Sequence, residues 1–457
     1  MNQSTLPSAV TAVRGHVVRL RDNPFVVGDA AALCDESDGL LLIRDGLVEA
    51  VGRWADLHDR VPADVAVMHY PDALIVPGFI DCHVHYVQTG MIGAAGLQLL
   101  DWLDRYTFPT EQAFADKAHA DKVAKLFCNE LLRNGTTTAL VFAATYPASV
   151  DALFEEAERR HMRLIAGKVL MDRHAPPALL DTAQQGYDDS AALIDRWHGR
   201  GRLGYAITPR FAITSTPAQL EAAGALWKAH PDTWVHTHLS ENRGEIEAVA
   251  RLFPERSSYL DVYDHYGLVG RRSMFAHGVH LGETDFRCCH EHGAAIAHCP
   301  TSNLFLGSGL FSLHEACDPR RPVHVGLGTD IGAGTSFSLP VTAGAAYKVA
   351  QLRGHALTAT QLLYLATLGA ARALNLDDRI GSLGVGHEAD FVVLDPHATP
   401  LLAFRTAQVD SLDEMLAVLM TLGDDRCVRA TFVAGRSEHF REHPSWSARR
   451  HTPARPS

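Results

Sequence analysis

The sequence predicts an α/β protein: a (β/α)8 barrel of the TIM type, carrying a small β-sandwich built from both chain ends. Three observations lead there. Across residues 73–374, short β-branched or apolar runs alternate with longer amphipathic segments rich in Ala, Leu and Glu. Eight such runs occur, the strand number of this barrel. The two flanks instead read as strand–turn–strand, with Gly or Asp-Gly at the turns.

The elements follow in order. Residues 1–72 form the first part of the sandwich, with "GLLLIRDGLVEAVG" as its clearest hairpin. The barrel, 73–374, begins with "ALIVPGFIDCHVH" from Ala73 and continues with "TTTALVF" from Thr136, "RLIAGKVLM" from Arg163 and "LGYAITPRF" from Leu203. Then come "TWVHTHLSE" from Thr233, "SMFAHGVHL" from Ser273, "AAIAHCP" from Ala294 and "PVHVGLGTD" from Pro322. Segments such as "PASVDALFEEAERRH" and "TPAQLEAAGALWKAH" supply helices between them. "TATQLLYLATLGAARAL" opens with Thr358 three residues before Gln361, a capping-box spacing, and reads as a terminal helix over the barrel. Residues 375–444, with "GSLGVGHEADFVVLDP", complete the sandwich, and 445–457 is a polar tail.

Composition narrows the function. A chain of 457 residues suits one large catalytic domain with an accessory one. Apolar content of 47% and charged content of 21% are those of a globular protein with ample core. A net charge of -12, without a basic face, argues against nucleic acid. The N-terminal stretch has no apolar core of the signal-peptide kind, and no run reaches the ~18 apolar residues of a membrane span. Eight scattered cysteines without CxxC pairs fit a reducing, cytoplasmic setting. Cys82 and the adjacent Cys288 and Cys289 suggest no role.

Histidine needs care, because the chain has 26. Random placement would give about 1.5 HxH pairs. Three occur, at His83/His85, His236/His238 and His290/His292, so one pair alone is weak. The ends of the predicted strands carry more weight, since barrel enzymes build their sites there. His83 and His85 end the first, Arg210 and Phe211 the fourth, and His238 with Glu241 the fifth. His277 lies on the sixth, and Asp330 ends the eighth. Converging imidazoles and a carboxylate describe a catalytic site for zinc or ferrous iron, one ion per chain. Such an ion acidifies its water, and Glu241, three residues past His238, can move that water's proton.

Each residue also has a plainer reading. His236 shares a face with His238, and spacing leaves either as ligand. Phe211 alone reads as core, and Asp330 alone as a loop cap. Arg210 is harder to dismiss, because a buried guanidinium needs acceptors. His280, His290, His292, His298 and His324 read as structural or surface residues.

With these residues in hand, the chain resembles the amidohydrolase superfamily and, within it, the guanine deaminase family. "PGFIDCHVHYVQ" looks like the family's first-strand signature, and "LLDWLDRYTFPTE" resembles the segment that follows it. "TPRF", "HTHLSEN", "FAHGVHL", "HCPTSNLFLGSG" and "VGLGTDIGAGTSFS" are similar to its later strand ends, in the same order. "GVGHEADFVVLD" is similar to the closing β element. The resemblance implies zinc held by His83, His85, His238 and Asp330, leaving His236 either to support a ligand or incidental. It implies Glu241, His277 and Asp330 as catalytic, and guanine bound by Gln88, Arg210 and Phe211 alongside His85, His238, Glu241 and Asp330. The implied reaction is attack of a metal-activated water on C2 of guanine, giving xanthine and ammonia, in a homodimer. Two alternatives stand: a relative that deaminates or dechlorinates an aminotriazine or modified adenine, and an inactive scaffold working through protein contacts.

Overall fold

The structure, a computed structural model, describes residues 10–442, and the tail expected at 445–457 lies outside the described residues. Four strands open the chain: β1 (Val10–Leu20), β2 (Leu33–Arg44), β3 (Leu47–Arg53) and β4 (Val67–Pro77). The barrel strands follow as β5 (Phe79–His85), β6 (Thr136–Phe142) and β7 (Arg163–Gly167), with a two-residue strand, β8 (Val169–Leu170), beside the next. That next strand is β9 (Gly204–Pro209), then β10 (Trp234–Leu239), β11 (Ser273–His277), β12 (Ala295–His298) and β13 (His324–Leu327). The chain returns to the first sheet with β14 (Phe391–Leu394), β15 (Val428–Val433) and β16 (Arg436–Phe440).

The eight long strands from β5 to β13 pair in parallel and in chain order. Closure between β13 and β5 comes from the residues just past β13: Asp330 N–H donates to His83 O at 2.9 Å. Thr329 N–H donates to the Asp81 carboxylate at 3.0 Å. These strands are buried on both faces, which is why they read as near-continuous apolar runs rather than alternating ones.

The stretch from Ala73 to His85 is two strands, not the single one its sequence suggests. β4 pairs with β1 and β14 in the small sheet, and β5 begins the barrel. Gly78 makes the switch: its N–H donates to Asp390 O at 2.9 Å, and a Cβ there would come within 2.2 Å of Thr137 Oγ1. Gly78→Ala is therefore expected to destabilise the protein by about 1–3 kcal/mol through overpacking, read as a lower urea midpoint at unchanged slope.

The chain-end strands form one sheet, in the order β16-β15-β14-β4-β1-β2-β3. It folds over on itself, so that Leu41 and Ile43 share a core with Phe391, Val393 and Phe432, the last two rings of that set stacking at 4.2 Å. The two layers of the expected sandwich are thus the two ends of a single curled sheet. Between β14 and β15 the chain leaves it for two helices, Pro400–Thr406 and Leu412–Leu422. Leu416, Leu419 and Met420 bury there in the core around the barrel. Arg163 and Arg202, at the starts of barrel strands, pair with Glu388 and Arg202 also with Asp390, tying the barrel to the sheet.

The capping box at Thr358 and Gln361 forms as expected and starts the helix Ala359–Ala366. A second helix, Leu368–Ala373, then closes the barrel floor. Its Ala370, Ala371 and Ala373 pack with Ile80, Leu140, Ile165 and Met274. The Trp234 indole N–H donates to Leu374 O at 2.9 Å. Among the described residues no helix is long and apolar enough to cross a membrane.

Candidate active site

The opposite end of the barrel collects polar groups. On β10, Trp234, His236 and His238 share the inward face by alternation, so the strand runs from apolar floor to polar mouth. β5 has a register shift between Asp81 and Val84, and both His83 and His85 reach the same centre. His83 Nε2 and His85 Nε2 lie 3.2 and 3.3 Å from Asp330 Oδ1. His85 Nε2 stands 3.2 Å from His238 Nε2. His277 Nε2 lies 3.5 Å from Glu241 Oε2 and 3.9 Å from Asp330 Oδ2. Ser240, His277 and Asp330, all at strand ends, have positive φ of 46°, 74° and 50°, a backbone cost that side-chain placement repays at functional sites.

Neighbouring groups fix the proton positions. A backbone carbonyl accepts only, so His238 Nδ1 must donate to Arg210 O at 2.7 Å, which leaves a lone pair on Nε2. His277 Nδ1 meets Asn303 Oδ1 at 2.9 Å, which aims its Nε2 at Glu241 and Asp330. His236 Nε2 lies 2.8 Å from His83 Nδ1, so His236 orients a neighbour rather than facing the centre.

These residues fit a divalent metal ion. Burial pushes the His85 imidazole down to about 3, and burial plus the surrounding imidazoles holds His238 well below its ordinary value. Both are neutral at physiological pH and present lone pairs. The ligand atoms of His83, His85 and Asp330 thus form one close group and those of His83, His238 and His277 a second that shares His83, and His83 Nε2 is buried without a hydrogen-bond partner. Such a set is mutually repulsive alone and attractive around a cation.

Glu241 sits between Ser240 and the helix Arg243–Leu252, at the rim of this centre. Its N–H donates to Glu245 Oε2 at 2.8 Å, and its Oε1 accepts from Ser308 Oγ at 3.1 Å. Burial, then the nearby Asp330 carboxylate, raises the Glu241 carboxyl to about 8. A carboxyl so placed exchanges protons near neutrality.

Above the centre lies a cavity of about 380 Å³ of empty space, lined by His85, Gln88, Arg210, Phe211, His238, Glu241, His277 and Asp330 among others. Every site residue expected from the sequence therefore lies at this one mouth, with His83 just beneath. Leu99, Trp102 and Leu103 roof it from residues 99–112. The other histidines stand apart from the ligand cluster. His290 and His292 are exposed on the helix Glu283–His292, with Cys288 and Cys289. His324 is exposed at the start of β13, and His298 is buried against Phe311. His280 holds the Ser308 carbonyl at 2.8 Å.

Several contributors escaped the sequence reading. Asp81 joins β5 to Thr329; Asn303, Ser308 and Glu245 hold His277 and Glu241; Glu111 holds both Gln88 and Arg210. The only signals were a buried-strand carboxylate at Asp81 and the Glu245 position four residues past Glu241.

A (β/α)8 barrel with a metal-competent mouth and a chain-end sheet defines a metal-dependent hydrolase class, and the chain belongs to the amidohydrolase family, which matches residues 74–437. Among known relatives, it is 53% identical to guanine deaminase of Escherichia coli (strain K12) over 428 residues, 93% of this chain and 97% of that protein. Its fold matches the solved structure of E. coli guanine deaminase with a TM-score of 0.92 at 50% identity, covering 95% of this chain and 100% of that one. A guanine deaminase from C. acetobutylicum, solved with guanine bound in its active site, matches with a TM-score of 0.85 at 26% identity, over 94% and 100% of the two chains.

Proposed function

We propose that this protein hydrolyses guanine at C2, releasing xanthine and ammonia, with zinc as its ion. The observation that carries the reading is the meeting of the His83, His85 and Asp330 group (His238 beside His85) with Glu241 and the Gln88–Arg210–Phe211 cavity. Close identity to a guanine deaminase over nearly the whole chain supports it.

Zinc held by His83, His85, His238 and Asp330 would supply an acidified water and positive charge beside C2. Glu241 takes the proton from that nucleophile and delivers it to ring N3 as the oxygen adds to C2. His277, its Nδ1 held by Asn303, offers Nε2 to orient the attacking oxygen. Asp330 accepts the second proton of the added oxygen. The exocyclic nitrogen takes that second proton from Asp330, the C2–N bond breaks, and ammonia leaves with the bonding pair while C2=O forms. Phe211 packs against the flat purine, and Gln88 with Arg210 reads its polar edge.

Incubation with guanine tests the reading, following ammonia release and loss of purine absorbance. Turnover is expected; none in the zinc-loaded protein would overturn it. A chelator is expected to abolish turnover and added zinc to restore it, with bound metal counted by elemental analysis. A panel with an aminotriazine and a modified adenine separates guanine from the alternative heterocycles.

A further inference from the structure

Glu111 is fully buried and lies 99 positions from Arg210 in sequence, yet it is the hub of the recognition wall. Arg210 Nη1 donates to both of its oxygens, at 3.0 and 2.9 Å. Gln88 Nε2 donates to Oε1 at 3.0 Å. The mechanism above gives Glu111 no task.

The local fold delivers it on purpose. Residues 99–112 run as α-helical turns interrupted by a π-helical turn, Leu103–Thr107. Two turns of regular α-helix from Leu103 would bring residue 110 to the same face. The extra residue of the wide turn brings Glu111 there instead, while Thr110 is only half-buried. Phe108, one turn earlier, lies under the Arg210 guanidinium at 5.6 Å.

We propose that Glu111 is a specificity-determining positioning residue that fixes which donors and acceptors the cavity shows to a purine. A carboxylate flanked by Arg210 accepts and does not donate, so Gln88 must turn its amide nitrogen towards it. Oε1 then points away from Glu111, packed beside Gly332, where a Cβ would come within 2.2 Å of it, and Gln88 lines the cavity. Arg210, with Nη1 committed, leaves its other N–H groups as donors. The wall shows one acceptor and a donor edge, a pattern for a ring carrying an N–H beside a carbonyl. An amine in place of that carbonyl would meet the guanidinium donor to donor. This rests on the guanine reading and deepens it.

The test compares kcat/KM for guanine with that for 2,6-diaminopurine, or its competitive inhibition constant, in the parent and in Glu111→Gln. Glutamine keeps the volume but offers one acceptor oxygen in place of two and adds a donor, so it cannot hold the Arg210 guanidinium and the Gln88 amide nitrogen together as the carboxylate does. The guanine preference is expected to fall about 100-fold, mostly through KM, with zinc content unchanged. In an Arg210→Ala background the same change is expected to cost little further preference. Glu111→Asp, which keeps the carboxylate one methylene back, is expected to retain an intermediate preference, and it decides the matter should the Gln variant fold poorly. An unchanged preference in Glu111→Gln, or in Glu111→Asp if that stands in, overturns the proposal. Absence of guanine turnover in the parent would instead sink the underlying reading.

Discussion

Glu241→Gln is expected to lower kcat on guanine by about 10³-fold, the middle of the range for one acid–base group, because in the proposed mechanism the same carboxylate both takes and returns a proton. Glutamine fills the same volume and can still accept from Ser308, so the loop before the helix Arg243–Leu252 keeps its place. KM is expected to stay within a few-fold, since Gln88, Arg210 and Phe211, the main residues proposed to recognise the purine, are untouched. Zinc content is expected to stay at parent level, because Glu241 is not among the proposed ligands. Steady-state kinetics with metal analysis checks all three, and a kcat within tenfold of the parent would remove Glu241 from its role.

Arg210→Ala should damage two properties at once. It strips both contacts from Glu111 and leaves a carboxylate buried without its cation, a loss of about 3–5 kcal/mol in stability. It also deletes the donor edge of the cavity, and kcat/KM on guanine is expected to fall by about 10³–10⁴-fold. The backbone carbonyl of residue 210, which holds His238, survives the change, so metal content is expected to persist. Arg210→Lys separates the two effects. A lysine restores the positive charge and part of the stability but lacks the planar fork, so guanine turnover stays low. Urea unfolding and steady-state kinetics on the same preparations distinguish these outcomes.

The barrel was legible because parallel strands buried on both faces leave apolar runs, and alternating helices mark their spacing. The candidate site was legible because such barrels place chemistry at strand C-termini, which drew attention to His83, His85, Glu241, His277 and Asp330; spacing alone left His236 and His238 equal, and only the family resemblance favoured His238. The β4–β5 division was not, since both strands are apolar and only the missing Cβ at Gly78 marks the change of sheet. The helices at 400–422 stand outside the strand–turn–strand expectation for this flank, although "LDEMLAVLMTL" has helical spacing. Glu111 and Asn303 were invisible for a different reason: their partners are distant in sequence, and nothing in local pattern records who they meet.

The helix Leu368–Ala373 makes the barrel a vessel with a closed base. Guanine, xanthine and ammonia must therefore share one doorway, beneath the roof formed by residues 99–112. With the base sealed, traffic in both directions runs past Leu99, Trp102 and Leu103.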